Sequence, residues 1–339
     1  MKNKRNPYFD NIKFILILLV VFGHTIEPFI HDYPLLYAFY KVIYTFHMPL
    51  FILISGFFAK KAIRNRNFPK LVHNYLVPYF IFQILYSIMY FGVEDKATYT
   101  LRIFTPYFTL WFLLTIFSCH LILPWLLKLP PPMLWALLAG ATIGYINLNG
   151  KFLSYSRTFV FLPFFLAGYL AEERHFTFFQ TRKWKLAAPF ILLSLFLCFY
   201  WVFPDFSSKW LTGSYSYQEL GVTEWYAGIY RLLLYIVQTI AIISILALVP
   251  QKETFYTSQG SRTFYVYLFH GLIIRSLDRM GFFHTLENPI GLLSLLPASI
   301  ALTFLLSSET VERLSRPWLF PNLSLPFFQE KDERLSDNG

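Results

Sequence analysis

Lys13 and His24 stand eleven residues apart in a run that is otherwise almost wholly apolar, YFDNIKFILILLVVFGHTIEP over residues 8–28. On a helix turning 100° per residue the two fall within about 20° of each other, so they share a face. Asp10 and Glu27 lie on the same broad stripe, with Ile17 and Val21 between them. An ionisable group turned towards lipid costs roughly 2.5–3.5 kcal/mol on insertion scales, so this stripe must face protein or water. Along the axis the pair is separated by roughly 16 Å. That suits work with two ends, in which an elongated donor is held at one and chemistry proceeds at the other. An extended pantetheine arm is of that order, as are many other molecules. Each residue also has a plainer reading. Lys13 could snorkel to the headgroups, and His24 could be satisfied by a neighbouring helix.

The elements that must position this stripe are membrane helices. Of 339 residues, 56% are hydrophobic and 14% charged, and apolar runs of helical length recur throughout. This is the composition of an all-α polytopic membrane protein. About ten spans are expected in one bundle, near 8–29, 36–59, 71–93, 104–127, 132–149, 155–172, 185–204, 226–249, 263–280 and 289–312. Residues 1–315 form the membrane domain in this reading, and 316–339 a polar cytoplasmic tail. The basic start followed by an apolar run resembles a signal peptide. Asp10 and Lys13 interrupt it and no A-x-A site follows, so an uncleaved first span is expected. No internal repeat of the kind that builds inverted transporter halves is visible.

The net charge of +10 raises the question of nucleic acid. The lysines and arginines fall in short loops between apolar spans, so the positive-inside pattern accounts for them and no nucleic-acid partner is expected. The cluster Lys60, Lys61, Arg64, Arg66 and Lys70, the 174–185 loop, Lys252, Arg262, Arg313 and Arg316 mark the cytoplasmic side. The opposite side, with Lys96, Arg102, Lys151, Arg157 and Lys209, carries about half as many. Both termini are then cytoplasmic. Lys13 lies at the cytoplasmic edge and His24 towards the outer leaflet. Cys119 and Cys198 sit inside spans without metal-ligand or CxxC spacing, so neither a disulfide nor a metal is expected.

Other spans contribute chemistry-bearing residues. The second, AFYKVIYTFHMPLFILISGFFAKK, holds His47 beside the kinking Pro49, and Ser55-Gly56 near its cytoplasmic end. Histidine next to a proline that frees carbonyls is suited to lining a cavity, whereas Gly56 reads first as a close helix contact. His270 in FYVYLFHGLII is the third intramembrane histidine. Arg157 enters the sixth span from the outer side, where it could steady an oxyanion or a sugar, or anchor the span end. The Lys60–Lys70 apron, with His73, could attract donor phosphates or anionic membrane lipid. Trp210, Tyr215 and Tyr217 in the 205–225 loop could stack on sugar rings, or simply sit at the membrane interface.

Together these residues resemble the acyltransferase family 3 of integral membrane proteins. That family is marked by a basic residue and a histidine with ten residues between them on the first span, and Lys13-x10-His24, preceded by FDNIK, fits it. Lysine stands where arginine is commoner, which loses the planar fork that grips a phosphate or carboxylate at two points. FILISGFF at 51–58 resembles the family's SG element and VPYF at 77–80, with Tyr79, its PY element. LWFLL at 110–114, LPFFLAGYL at 162–170 and YLFH at 267–270 follow in order, so the likeness runs over roughly 8–315. HMPLFILISG and SRTFVFLPFFLAGY look most like the fucose 4-O-acetylase-like branch.

The resemblance implies an O-acyltransferase of the cell membrane with no resident cofactor. Acetyl-CoA or another acyl-CoA would be the cytoplasmic co-substrate, and a hydroxyl of an envelope polysaccharide or lipid-linked sugar the acceptor. It implies His24 as the essential catalytic residue and Lys13 as a donor contact. Asp10, His47 and His270 are candidate supports, and Ser55 a candidate oxyanion donor. No esterase-like domain follows, so the chain is expected to complete the transfer itself or hand the acyl group on. Two rivals remain: a proton-coupled transporter relaying protons through His24, Glu27, His47 and His270, and a non-enzymatic membrane subunit whose polar stripe is a helix contact.

Overall fold

The polar stripe rides on α1, Pro7–Ile26, and the ends of that helix are fixed differently. At its start the Asn6 side chain accepts from the Tyr8 amide at 3.1 Å, and Pro7 occupies the first position, where no N–H is needed. At its other end the chain tightens into a 3-10 turn, Glu27–Phe29. The structure, a computed structural model, describes residues 6–65, 68–93, 102–147 and 150–321.

Among the described residues, a helix follows for each of the nine remaining expected spans, in order. They are α2 Pro34–Asn65, α3 Val77–Val93, α4 Trp111–Leu126, α5 Pro132–Thr142 and α6 Tyr155–Leu170. After these come α7 Arg182–Leu197, α8 Ala227–Leu248, α9 Thr263–Arg279 and α10 Pro289–Leu306. Six helical segments are long and apolar enough to cross a membrane, and Trp111–Leu126 and Pro132–Tyr145 are shorter apolar helices. No strand occurs among the described residues. The chain is an all-α polytopic membrane protein. Large apolar side chains such as Phe190, Leu193, Ile290 and Leu293 remain exposed on the outside of the bundle, as a lipid-facing surface requires.

Three boundaries depart from the sequence reading. The fourth span begins at Trp111, not near 104, because residues 102–110 are not helical. Pro106 disfavours helix for the residue before it, and buried Gln83 supplies the pairing that a helix would have given. Its Nε2 donates to the carbonyls of Thr105, at 2.8 Å, and Arg102, and its Oε1 accepts from the Tyr107 amide at 3.1 Å. The last span stops at Leu306, and Ser308 caps a separate helix, α11 Glu309–Leu319. Residues 316–319 of the expected tail thus belong to a helix whose Leu319 is fully buried, while 322–339 lie outside the described residues, as do Asp95 and Lys96. Just ahead of the 205–225 loop the chain is pinned to α2. Buried Lys41 of α2 donates to the carbonyls of Phe199, Phe203 and Pro204 at 3.1, 3.1 and 2.7 Å. Those carbonyls fall on the π-turn Cys198–Val202 and just after it, where helical partners run out.

Helices in lipid gain little from hiding apolar surface, so close packing must hold them. The tightest crossing joins α2 and α6. A Cβ at Gly56 would overlap the Phe165 carbonyl, and one at Gly168 would overlap that of Leu53. The packing expectation for Gly56 is met.

One end of the bundle gathers the basic loops. Lys60 donates to the Ala171 carbonyl, and Arg262 donates to Ser307 O at 2.6 Å. Fully buried Asn11, one residue after Asp10, donates to the carbonyls of Pro250 and Lys252, both at 2.9 Å. The Asp10–Lys13 end of α1 is thereby locked to the loop between α8 and α9. His24 sits at the other end.

Candidate active site

His24 occupies the last turn of α1, and Glu27 follows on the 3-10 turn three residues later, on the same side. The His24 Nδ1 lies 3.1 Å from Glu27 Oε2, and Arg275 Nη2 donates to Glu27 Oε1 at 3.2 Å. Arg275 also donates through Nη1 to Asp278 at 3.2 Å. A four-member chain therefore runs His24–Glu27–Arg275–Asp278, joining α1 to α9. With the carboxylate accepting at Nδ1, that nitrogen carries the hydrogen and Nε2 is left basic. The Tyr44 hydroxyl lies 3.4 Å from the same Nδ1, at the limit of a hydrogen bond.

Phe108 completes the enclosure. Its ring centroid is 4.5 Å from that of His24, and the Arg275 guanidinium sits 4.2 Å from the same centroid. The residue holds a φ of 41°, in the left-handed region that bulky residues avoid. Such a conformation costs of order 1–3 kcal/mol and persists only where its surroundings enforce it. Here the enforcing contacts are the Gln83 clamp and the neighbouring Tyr79, whose hydroxyl donates to Ile103 O at 2.6 Å.

His24 faces a cavity of about 720 Å³ whose wall also includes Lys13, Glu27, His47, Ser55 and Arg157. The cavity thus joins the two residues singled out on α1. Lys13 pairs with Asp10 at 2.5 Å, so Asp10, itself buried, reaches the cavity through the lysine rather than by lining it. His47 Nδ1 donates to the Ile43 carbonyl at 2.8 Å, leaving its other nitrogen as an acceptor. The Ser55 hydroxyl donates to Phe51 O at 2.8 Å, so its proton is already engaged and an oxyanion would have to displace that bond. Arg157 lines the cavity, with Nε donating to Thr212 O at 3.1 Å and its guanidinium 4.6 Å from the Trp111 ring.

Like Asp10, two more site residues expected from sequence, Tyr79 and His270, lie off the cavity wall. Tyr79 acts from behind, on the 102–110 segment. His270 stands beside His24 with ring centroids 5.6 Å apart; its Nδ1 donates to Val266 O at 2.8 Å and its buried Nε2 has no partner. The aromatic loop divides. Tyr215 lines the cavity, but Trp210 and Tyr217 are buried and unavailable to a sugar. Tyr217 donates to Ala141 O at 2.7 Å, and burial pushes its hydroxyl pKa up, so it stays a neutral structural group.

Sequence reasoning missed Arg275, Phe108 and Tyr44, and it put Glu27 on the polar stripe but gave it a role only in the transporter rival. The i, i+3 spacing of His24 and Glu27 was a usable signal, since those positions meet on a helix. Nothing local marks Arg275, which reaches Glu27 across 248 positions.

Residues 6–308 match the acyltransferase 3 family, described as an acyltransferase domain. This chain belongs to that family. A stretch of 73 residues is 44% identical to the nodulation protein NolL of Sinorhizobium fredii (strain NBRC 101917 / NGR234), covering 21% of this chain and 20% of that protein. The NolL protein of Mesorhizobium japonicum (strain LMG 29417 / CECT 9101 / MAFF 303099) is 44% identical over 69 residues, 20% of this chain and 18% of its own length. The matched stretches therefore span about a fifth of each relative. No solved structure matches the chain.

Proposed function

We propose that this acyltransferase moves an acetyl or other short acyl group from acyl-CoA, bound from the cytoplasm, to a hydroxyl of an envelope glycan or lipid-linked sugar. The observation that carries the reading is the His24–Glu27 pair on a cavity that extends along α1 to Lys13. Lys13, with the basic loops gathered at its end, fits the phosphates of the donor. The roughly 16 Å from Lys13 to His24 fits the pantetheine arm.

In the proposed reaction the acceptor hydroxyl gives its proton to His24 Nε2 as its oxygen forms a bond to the thioester carbonyl carbon. The tetrahedral intermediate expels the CoA thiolate, breaking the C–S bond, and the imidazolium returns the proton to sulfur. Glu27 holds the tautomer and stabilises the transient imidazolium, as a carboxylate does behind any histidine base. Arg275 and Asp278 hold Glu27. His47 and His270 act from the flanks by shaping the pocket, and Arg157 belongs to the acceptor end. The Lys/Arg bias supports a plasma-membrane protein with both termini in the cytoplasm.

The test is transfer of labelled acetyl from acetyl-CoA to membrane or glycan fractions by purified, reconstituted protein. Label should reach an alkali-labile ester with the wild type and fail to do so with His24→Gln. Transfer at the wild-type rate by the variant would remove His24 from the mechanism.

A further inference from the structure

Among the described residues, the cavity wall carries six cationic side chains, Lys13, Arg102, Lys151, Arg157, Lys209 and Arg275, and one carboxylate, Glu27. Arg275 is paired with that carboxylate, and Lys13 belongs to the opposite end of α1. The remaining four collect at the His24 end. Arg102 opens the segment whose Phe108 packs on His24. Arg157 stacks on Trp111, the residue that begins α4 just after that segment, and is tied to Thr212. Lys209 lies on the short helix Lys209–Thr212, and its ammonium and that of Lys151 stand 5.3 and 5.9 Å from the Tyr215 ring. Among the described residues, no carboxylate lies within ion-pair distance of Arg102, Arg157 or Lys209.

On a concave wall Arg102, Arg157 and Lys209 repel one another unless a ligand supplies the opposite charge, and such a wall focuses anions towards it. The donor does not meet this need. With its phosphates at Lys13, the pantetheine reach of roughly 16 Å ends at His24, short of this cluster. Arg157 is well suited to the task. With Nε used on the backbone and its plane fixed on Trp111, the terminal amino groups remain to grip an oxyanion at two points.

We infer that Arg157, Lys209, Lys151 and Arg102 form an acceptor subsite for an anionic sugar, one carrying a phosphate or carboxylate beside the hydroxyl to be acylated. This rests on the acyl-transfer reading for the word acceptor; the anion site itself does not. The ligand's charge would orient it so that the hydroxyl, and not the charged group, meets His24.

The experiment uses the full chain in nanodiscs of zwitterionic lipid and three matched probes: octyl β-glucoside, octyl β-glucuronide and octyl glucose 6-phosphate. Calorimetric binding and labelled acetyl transfer from acetyl-CoA are both measured. The charged probes should bind about tenfold or more tighter than the neutral one, with the preference weakened by about 0.5 M salt. Whichever anion binds tighter identifies the group carried by the natural acceptor. Lys151→Gln/Lys209→Gln, both at exposed positions and with folding checked by thermal unfolding, should abolish the preference while acetyl-CoA affinity stays within about twofold. Arg157→Gln should do the same, and Arg157→Lys should restore part of it. Equal binding of neutral and anionic probes would overturn the inference. So would a loss of acetyl-CoA affinity in the double variant, which would hand the cluster to the donor. Selective anion binding without any acetyl transfer would sink the acyl-transfer reading and leave the anion site standing.

Discussion

Glu27 and Arg275 form an ion pair at 3.2 Å between the end of α1 and the end of α9, and the carboxylate's other oxygen meets His24 at 3.1 Å. The arrangement makes Arg275 decide what Glu27 can do. In Glu27→Gln the amide oxygen would stay with the guanidinium, because an NH2 group facing it would repel. The amide NH2 would then face His24 Nδ1 and donate to it. That forces Nδ1 to accept and moves the imidazole hydrogen to Nε2, so the base is lost while shape and volume are kept. We expect kcat to fall by about 10²–10⁴-fold, with expression and thermal unfolding close to wild type. A variant of normal activity would show that the carboxylate does not set the tautomer.

Arg275 is a positioning residue in this account and its variants should behave accordingly. Lysine cannot fork between Glu27 and Asp278, so Arg275→Lys should lose part of the activity and Arg275→Gln more. The decisive readout is coupling. Arg275→Gln on top of Glu27→Gln should cost far less than it does alone, since both act through His24. Additive losses in kcat would place Arg275 outside the relay.

At the other end of α1, Lys13→Ala should raise the KM for acetyl-CoA several-fold with a smaller change in kcat, and Lys13→Arg should match or improve on the wild type. Asp10 lies 2.5 Å from Lys13 and directs it. Steady-state kinetics over a range of acetyl-CoA concentrations decides the matter. An unchanged KM in the alanine variant would return Lys13 to the headgroups.

The α2–α6 crossing supplies a test of the fold without chemistry. A methyl group at Gly56 or Gly168 has no room against the facing backbone carbonyls. Gly56→Ala and Gly168→Ala should each destabilise by about 1–3 kcal/mol, read as a lower unfolding temperature in detergent. Because they press on the same contact, the double variant should lose less than the sum. Unchanged unfolding temperatures in both would mean that the helices cross elsewhere.

The sequence made the fold legible because membrane spans announce themselves. Length and apolarity located the helices α1 to α10, and one-sided charge on α1 pointed to the cavity. What failed was local irregularity. The segment at 102–110 is apolar enough to read as the start of a helix, and only its tie to Gln83 shows that it is not. Phe108 was invisible for the same reason, since its role depends on a backbone conformation that no periodicity encodes. Trp210 and Tyr217 looked like interface aromatics, yet the chain folds them inward. Arg275 was lost because ion-pair partners far apart in sequence leave no local pattern.

The last prediction concerns His24 itself. His24→Ala and His24→Gln should both abolish product while leaving membrane insertion and unfolding temperature near wild type. Glutamine can still hydrogen-bond to Glu27 and Tyr44, so it preserves any purely structural contact. It cannot accept and return a proton near neutral pH, so base catalysis fails in it. A structural histidine would give the opposite pattern, with alanine loosening the α1–α9 contact and glutamine largely tolerated. Measured side by side, kcat and thermal unfolding separate the two. If glutamine keeps activity and alanine loses stability, the Glu27–Arg275–Asp278 chain is a helix clamp, and the base lies elsewhere on the cavity wall, with His47 the next residue to test.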